Sequence, residues 1–307
     1  MMVGRVRNVL IFLMSLAVSS LLGTIIAVPV EAGSSTVIFE DDFEGQDVNC
    51  WSNKPNGGGW NFAGCGGFVN IGQGSHVGLA VGEVSHSGKK AIKITFTSNE
   101  NHGGGEVKLS GYDRIFTRQY DYYERNFDFA YGMKIHRIRS FNGNLNDFDI
   151  VSVAWGTPTS GSTNMSGVND MGNISINANG GPVDWGSAWG GESFQREKWY
   201  CVETEVKLND PGSANGEVRI WIDGNLLVQR TNVNIRGGLS KSINRILFGG
   251  WYSNGAKGLN PQPDPAVPSI RYIDDVVIST ERVGCLPDVP DKTPPGSPTG
   301  VRFSGQQ

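Results

Sequence analysis

The sequence predicts an all-β fold in which two antiparallel sheets pack face to face as a jelly-roll sandwich. Three observations support this prediction. Glycine is abundant, with 43 residues among 307, and it separates short apolar runs in the way that turns separate strands. Several of these runs alternate apolar and polar residues with the period of two that strands require. No segment keeps a helical period for more than about two turns.

Four segments show the strand alternation most clearly, and they are residues 90–96, 200–208, 217–222 and 271–278. The third segment runs into Asp223-Gly224 and then into a second apolar run. An Asp-Gly pair between two alternating runs is a strong signal for a β-hairpin. Evenly spaced short strands of this kind are typical of a two-sheet sandwich.

The first 32 residues predict an export signal. Arg5 and Arg7 give a positive start, an apolar run extends from Val9 to Val28, and Val30-Glu31-Ala32 offers small residues for cleavage before Gly33. An uncleaved membrane anchor is the alternative, because the apolar run is long for a signal. In both cases the rest of the chain is expected outside the cytoplasm, either secreted, at the cell surface or in a periplasm, without further membrane contact.

The cysteines predict two disulfides. An even number of cysteines in an exported chain favours disulfides over free thiols. The four cysteines allow three pairings, and their positions favour Cys50–Cys65, which closes a loop rich in Gly and Trp, and Cys201–Cys285, which ties a central strand to the C-terminal end. The sequence contains no cluster of Cys and His residues with the spacing of a transition-metal site.

Residues 33–285 are expected to form one domain. Proline becomes frequent from Leu286, so residues 286–307 predict a stiff linker. Within it, residues 291–300 resemble the entry into a fibronectin-type-III-like module. Without the two arginines and one glutamate of the signal, the 26 basic and 30 acidic residues become 24 and 29, a net charge of −5. That balance argues against a nucleic-acid partner, which usually requires a basic surface.

Residues 122–138 carry a resemblance to a known family. Tyr122-Tyr123-Glu124-Arg125, Phe127-Asp128-Phe129 and the run from Gly132 to Ile138 resemble the central strands of concanavalin A-like jelly rolls. More narrowly, they are similar to the polysaccharide lyases of that fold that cleave alginate and glucuronan. The turn has Lys-Ile-His-Arg where those lyases tend to carry Lys-Leu-Pro-Gly. The resemblance extends over residues 37–284 and implies an eliminating lyase of acidic polysaccharides, without an organic cofactor.

A β-elimination needs three functions around the sugar. One group must neutralise the sugar carboxylate, a base must take the neighbouring proton, and an acid must protonate the leaving oxygen. The candidate catalytic residues are Lys134, His136, Tyr123 and Tyr252, because a nearby cation can lower the pKa of a phenol enough for it to act as base or acid. Strand alternation predicts that Lys134 and His136 share one face of the sheet.

The candidate substrate-binding residues are cationic, polar or aromatic. Arg137 and Arg139 are expected to share the face opposite to His136, and Glu106 and Lys108 alternate with Val107 and Leu109 on another predicted strand. Trp251, where a strand passes into polar residues, is a candidate for stacking on a sugar ring. The full set is Arg137, Arg139, Glu106, Lys108, Trp251 and Asn254. Ordinary solvated strand faces and a tryptophan in the core are the alternatives.

A structural calcium site is a further expectation. Asp41 and Asp42 lie near the first strand, and Asp275 lies on the last strand. First and last strands pair in many jelly rolls, and Ca²⁺ prefers several oxygen ligands, including carboxylates. Similar carbohydrate-binding jelly rolls often hold a calcium ion there. The alternative is that these acids begin a strand and face water.

The sequence therefore favours a polysaccharide lyase that cleaves a uronic-acid polymer. The alternatives are a carbohydrate-binding or adhesion module of the same fold without catalysis, and a purely structural surface domain. Hydrolysis ranks below elimination. A retaining glycosidase needs paired acids, whereas Glu203 and Glu205 are followed by Lys207 at the next position of that face.

Overall fold

The structure, a computed structural model, describes residues 37–52, 65–71, 77–96, 102–125, 127, 133–140, 148–156, 172–177, 187–236, 240–252 and 269–287. All of them lie in the larger of the two units into which the chain divides, Ser35–Gln307. The predicted signal and residues 288–307 of the predicted linker lie outside the described residues. Among the helices that the described residues form, none is both long and apolar enough to cross a membrane.

The described chain forms two antiparallel sheets and one short helix, α1 (Val48–Ser52). The eight-stranded sheet consists of β1 (Val37–Asp41), β3 (Val77–Val81), β4 (Lys90–Phe96), β6 (Arg114–Tyr123), β11 (Trp199–Lys207), β12 (Gly216–Ile222), β13 (Asn225–Val233) and β15 (Ser269–Ser279). The seven-stranded sheet consists of β2 (Phe68–Ile71), β5 (His102–Tyr112), β7 (Met133–Ser140), β8 (Phe148–Gly156), β9 (Gly172–Asn177), β10 (Ser187–Phe194) and β14 (Ile243–Tyr252). The predicted all-β jelly-roll sandwich is confirmed.

The order of strands brings distant segments together. The first sheet runs β13-β12-β11-β6-β15-β4-β3, with β1 also paired to β15, and the second runs β10-β9-β8-β7-β14-β5-β2. Strands β6 and β15 are therefore central in one sheet, and β7 and β14 are central in the other. The predicted hairpin at Asp223-Gly224 joins β12 to β13. Both turn residues have positive φ, 49° and 80°, which is the conformation that a tight two-residue hairpin turn requires.

The hydrophobic core lies between the two sheets. Alternate side chains of several strands enter it, among them Ile92 and Ile220 from the eight-stranded sheet and Val107, Ile246 and Phe248 from the seven-stranded sheet. Because successive side chains of a strand point to opposite faces, the sequence neighbours of these core residues lie on the outer faces. The outer face of the seven-stranded sheet can therefore be inferred from its core residues.

Both predicted disulfides are present, with Cys50 joined to Cys65 and Cys201 joined to Cys285. The second bond fastens the segment after β15 to the outer face of the eight-stranded sheet. The backbone N–H of Gly284 donates to Glu203 at 2.9 Å, and that of Leu286 donates to the Tyr120 hydroxyl at 2.6 Å. This cover explains why the central strand β6 is buried on both faces, although only one face meets the core.

A pair of aspartates on β15 holds the turn before β4. The Asp274 carboxylate accepts from the backbone N–H groups of His86 and Ser87 at 2.8 and 3.1 Å. The Asp275 carboxylate contacts His86 Nδ1 at 2.6 Å and accepts from the Ser87 hydroxyl at 2.8 Å. Burial, followed by the neighbouring charge of Asp275, raises the pKa of Asp274 to about 8.

The raised pKa predicts a pH-dependent stability. The ordinary pKa of Asp274 is 3.8, so the folded state binds this proton more tightly than the unfolded state does. Between about pH 4 and pH 8 the free energy of unfolding should therefore fall as pH rises, by up to about 1.4 kcal/mol per pH unit from this group. Urea unfolding across this range should show a shallower dependence in Asp274→Asn. The exposed-site control Asp42→Asn should keep the wild-type slope, and an unchanged slope in Asp274→Asn would contradict the assignment.

Candidate functional site

Three adjacent strands, β5, β14 and β7, place charged side chains on the outer face of the seven-stranded sheet. Val107, Ile246 and Ile138 on these strands all enter the core, so the residues next to them face outward. The register pairs Leu247 with both Glu106 and Arg137. One step along the outer face, it pairs Arg245 with Lys108 on one side and Arg139 on the other.

We call Arg137, Arg139, Arg245, Lys108 and Glu106 the cationic patch. Its members are four cations and one carboxylate, and Asp149 on β8 pairs in register with Arg139. The Arg139 guanidinium donates to Glu106 Oε1 at 3.0 Å across β14. Lys108 is exposed, Arg139 and Arg245 are partly buried, and Arg137 is 9% exposed. Partly buried guanidinium groups attract anions more strongly than fully hydrated ones, because the surroundings screen the charge less.

The patch contains four of the six predicted binding residues. Arg137 and Arg139 share a face, as the alternation predicted, and Glu106 and Lys108 come beside them through β14. Arg245 was not singled out from the sequence. Its signal is the alternation of residues 243–248 (INRILF), in which the apolar residues at 246 and 248 enter the core and Arg245 faces outward. Asn254, another predicted binding residue, lies outside the described residues.

His136 does not lie on the outer face of the sheet. It is 1% exposed, and its Nε2 lies 2.9 Å from the hydroxyl of Thr117 on the opposite sheet. Burial, together with the charge of Arg271, lowers the pKa of His136 to about 3. The residue is therefore neutral and inside the sandwich. The expected role of His136 as a base in a solvent-open groove is corrected to a place in the interior.

Tyr123 is also an interior residue. Its side chain is fully buried, and the Arg271 guanidinium lies over its ring at 5.9 Å. Burial, followed by the nearby charge of Asp121, raises the pKa of Tyr123 well above its usual range. A phenol with a raised pKa in the interior is a poor base and has no access to a polymer. Tyr123 is therefore also corrected from a candidate catalytic residue to a core residue.

The structure describes the backbone at the other candidate catalytic positions. Lys134 pairs with Trp251 across β7 and β14, and Tyr252 pairs with Met133. Trp251 pairs on its other side with His102. Lys134, Trp251 and Tyr252 are therefore neighbours in register, further along the same three strands that carry the cationic patch. Two segments distant in sequence meet there, as the prediction of a common site requires.

Comparison with known proteins finds a partial match to one family model and a similar fold among solved structures. The family model described as polysaccharide lyase 14 matches residues 171–259, which include β9 to β14. The structure resembles an endo-β-1,4-glucuronan lyase from the fungus Trichoderma reesei, with a TM-score of 0.51 and 14% sequence identity over 80% of this chain and 96% of that one. No curated protein matches the chain by sequence.

Two alginate lyases resemble the chain at lower scores. A marine enzyme from Aplysia kurodai has a TM-score of 0.48 and 14% identity over 67% of this chain and 87% of that one. The enzyme vAL-1 from a Chlorella virus has a TM-score of 0.47 and 16% identity over 80% of this chain and 100% of that one. The glucuronan lyase supports the jelly-roll fold, and these two add no separate argument.

The carboxylates of the expected calcium site do not converge. Strands β1 and β15 pair as predicted, with Asp41 opposite Val276. However, Asp41 accepts from Phe43 and Gln46, and Asp42 accepts from Glu44. Asp275 faces the turn before β4. Among the described residues, these three aspartates do not bring their oxygens together as ligands of one ion. They therefore do not fit a shared calcium ion.

The ammonium group of Lys90 binds backbone carbonyl groups of the turn after β1. Lys90 Nζ donates to the backbone carbonyls of Glu44 and Gln46 at 2.7 and 2.9 Å. The Glu44 carboxylate in turn accepts from the backbone N–H groups of Lys89 and Lys90, each at 2.6 Å. Backbone carbonyls and carboxylates are the ligands that Ca²⁺ prefers. In this turn the ammonium group of Lys90 is their partner.

This arrangement predicts that Lys90, rather than calcium, stabilises the turn. Lys90→Ala removes two charge-assisted hydrogen bonds and should lower the free energy of unfolding by about 1 to 3 kcal/mol. Lys89→Ala, which alters an exposed neighbouring side chain, should have little effect. The melting temperature of the wild type should be the same in EDTA and in excess CaCl₂. A clear loss of stability in EDTA, or equal stability of the two variants, would refute the assignment.

Proposed function

We propose that this protein is a polysaccharide lyase that cleaves an acidic, uronic-acid polysaccharide by β-elimination. The observation that carries the proposal is the cationic patch on the outer face of the seven-stranded sheet, where four basic residues lie on three adjacent strands. The match of residues 171–259 to polysaccharide lyase 14 supports it, because this segment includes all of β14. The fold shared with a glucuronan lyase supports the same substrate class.

Electrostatics gives the patch its role. A uronic-acid polymer carries a carboxylate on each sugar, and the proton next to that carboxylate is removed only when its negative charge is neutralised. Arg139 and Arg245 are partly buried and adjacent in register, so their guanidinium groups are suited to binding the carboxylates of sugars that neighbour the one being cleaved. Bidentate hydrogen bonds to carboxylates are the geometry that arginine favours. Arg137 and Lys108 extend the positive field along the strands.

The proton transfers are assigned to the end of the site where β7 and β14 pair beyond the patch. Lys134 is the candidate for neutralising the carboxylate of the cleaved sugar, and Tyr252 is the candidate for proton transfer, because the pairing of β7 with β14 brings their backbones to adjacent positions. Trp251 is the candidate for stacking on a sugar ring. His136 and Tyr123 have no part in this scheme, because both are buried between the sheets.

We also propose that the protein is exported. Its two disulfides support this location, because such bonds form and persist in oxidising compartments. A polymeric substrate supports it as well, since a polysaccharide outside the cell is reached only by an enzyme outside the cytoplasm.

A carbohydrate-binding module without catalysis is the second candidate. The observation that favours it is the burial of His136 and Tyr123, two of the four side chains expected to act on the substrate. The cationic patch would then hold an acidic glycan without cleaving it.

Tyr252→Phe tests the lyase assignment. The variant keeps the ring and removes only the hydroxyl group, so kcat on glucuronan or alginate should fall about a hundredfold or more while KM changes little. Product formation is followed by the near-ultraviolet absorbance of the unsaturated sugar. Tyr112→Phe is the matched control, because Tyr112 pairs with Ile243 at the other end of β14, nine residues and about 30 Å away.

The outcomes separate the two candidate functions. Product formed by the wild type and by Tyr112→Phe, but lost in Tyr252→Phe, supports the lyase. Retention of the wild type on an acidic polysaccharide column without any product indicates the binding module. Neither product nor retention with glucuronan, alginate and heparin-type polymers would refute both.

A further inference from the structure

Strand β7 loses its regular alternation at residues 135 and 136. Ile135 belongs to the hydrophobic core, and the next side chain, His136, also points inward and reaches Thr117 on the other sheet. The register with β8 shifts between Lys134 and His136. An additional residue in one strand of a pair is a β-bulge, which breaks the ladder and re-aims the side chains beyond it.

The distortion continues into the neighbouring strands. The register of β14 with β7 shifts between Phe248 and Trp251, so Gly249 and Gly250 lie opposite Ile135. Gly249 has a φ of 122°, and Gly104, its partner on β5, has a φ of 132°. A Cβ atom at Gly249 would collide with the Gly103 carbonyl, and one at Gly104 would collide with that of Phe248. The irregular zone therefore separates the cationic patch from the level of Lys134 and Trp251.

A buried guanidinium from the opposite sheet holds the backbone at this bulge. Arg271 Nη2, on β15, donates to the Ile135 carbonyl at 2.9 Å. Gln119 Nε2, on β6, donates to the same carbonyl at 3.4 Å. A carbonyl at a bulge is displaced from the regular ladder, and here its partners come across the sandwich. Both donors are buried, so water does not compete for this carbonyl.

Asp121 fixes Arg271 in turn. Its Oδ1 accepts from Arg271 Nε at 3.0 Å and from Nη2 at 2.5 Å, while its Oδ2 accepts from Gln119 Nε2 at 2.8 Å. Asp121 and Arg271 are both 0% exposed. Apolar side chains of similar volume often stabilise a core as well as a buried ion pair does. Stability alone therefore explains the buried pair of Arg271 and Asp121 poorly. A fixed geometry at the Ile135 carbonyl explains why an arginine lies at this position.

We propose that Arg271, held by Asp121, is a positioning residue that sets the bulge of β7 and thereby aligns Lys134 with Trp251 and Tyr252. The effect of Arg271 on catalysis rests on the proposed function, whereas its contact with the Ile135 carbonyl does not. Arg271 acts through the Ile135 carbonyl and does not touch the substrate. If the anchor is weakened, the part of β7 before the bulge loses its register with β14, while the cationic patch after the bulge keeps its own. Turnover should therefore suffer more than binding.

Arg271→Lys tests this directly. Lysine keeps the buried positive charge opposite Asp121, but it lacks the planar fork that bonds the carboxylate and the Ile135 carbonyl together. We expect kcat to fall between about tenfold and a hundredfold, because a small misplacement of catalytic groups has effects of that size, with KM within about twofold. The control is Arg219→Lys on β12, an arginine ion-paired to Glu205 on the outer face of the same sheet, and its kcat should be unchanged.

Hydrogen exchange provides a readout that does not depend on activity. In Arg271→Lys, the backbone amides of residues 133–136 and 250–252 should exchange faster than in the wild type, while those of β11 and β12 keep their protection. Gln119→Met removes one donor to Ile135 and one to Asp121 Oδ2, and it leaves both hydrogen bonds between Arg271 and Asp121 in place. It is the milder variant for the same measurement if Arg271→Lys does not fold, and it should give a smaller effect at the same residues.

The outcomes distinguish the anchor from the proposed function. Unchanged amide exchange at residues 133–136 in both variants overturns the positioning role of Arg271. So does unchanged kcat in folded Arg271→Lys when the wild type is active, or a loss of kcat that only follows the loss of folded protein. A third outcome is faster amide exchange at residues 133–136 in Arg271→Lys together with a wild type that forms no product. This result supports the positioning role of Arg271 and refutes the lyase.

Discussion

The contact between the Arg271 guanidinium and the Ile135 carbonyl is the constraint on which the arrangement of the candidate site depends. It is one of the few polar links across an otherwise apolar interior in the described part of the sandwich. Hydrophobic packing holds two sheets together but is non-directional, so it does not specify where a strand shifts its register. A charged donor with a fixed planar geometry does so. The buried pair with Asp121 therefore connects the fold to the position of the residues proposed to act.

The two outer faces of the sandwich differ in how their charges are balanced. On the eight-stranded sheet, Glu205 binds both Arg114 and Arg219, and Glu217 binds Lys207, so cations and carboxylates compensate each other. On the seven-stranded sheet, the four cations of the cationic patch lie beside two acidic residues, which are Glu106 and, in register with Arg139 on β8, Asp149. A local excess of one charge sign raises the concentration of the opposite one. This is why we propose the seven-stranded sheet as the site.

The sequence was sufficient for features that depend on local pattern. The strands at residues 90–96 and 217–222, the hairpin at Asp223-Gly224 and both disulfides follow from alternation, turn chemistry and cysteine position. The inward position of His136 agrees with its alternation with Ile138, but the sequence did not show which face of β7 meets the core. The additional residue at 135 breaks the alternation only before His136. Arg271 and Asp121 gave no signal either. They lie 150 residues apart, and only the pairing of β6 with β15 brings them together. The directions of the Asp41, Asp42 and Asp275 side chains did not follow from the sequence either, since backbone pairing alone does not make carboxylates converge.

The most direct test of this account is a crystal structure of the protein with a bound oligosaccharide of glucuronic or mannuronic acid, using Tyr252→Phe to slow cleavage. The account predicts sugar carboxylates within hydrogen-bonding distance of Arg139 and Arg245 on the outer face of the seven-stranded sheet, with a sugar ring at the level of Lys134 and Tyr252. An oligosaccharide bound to the eight-stranded sheet, or one whose carboxylates face solvent away from these arginines, would contradict it.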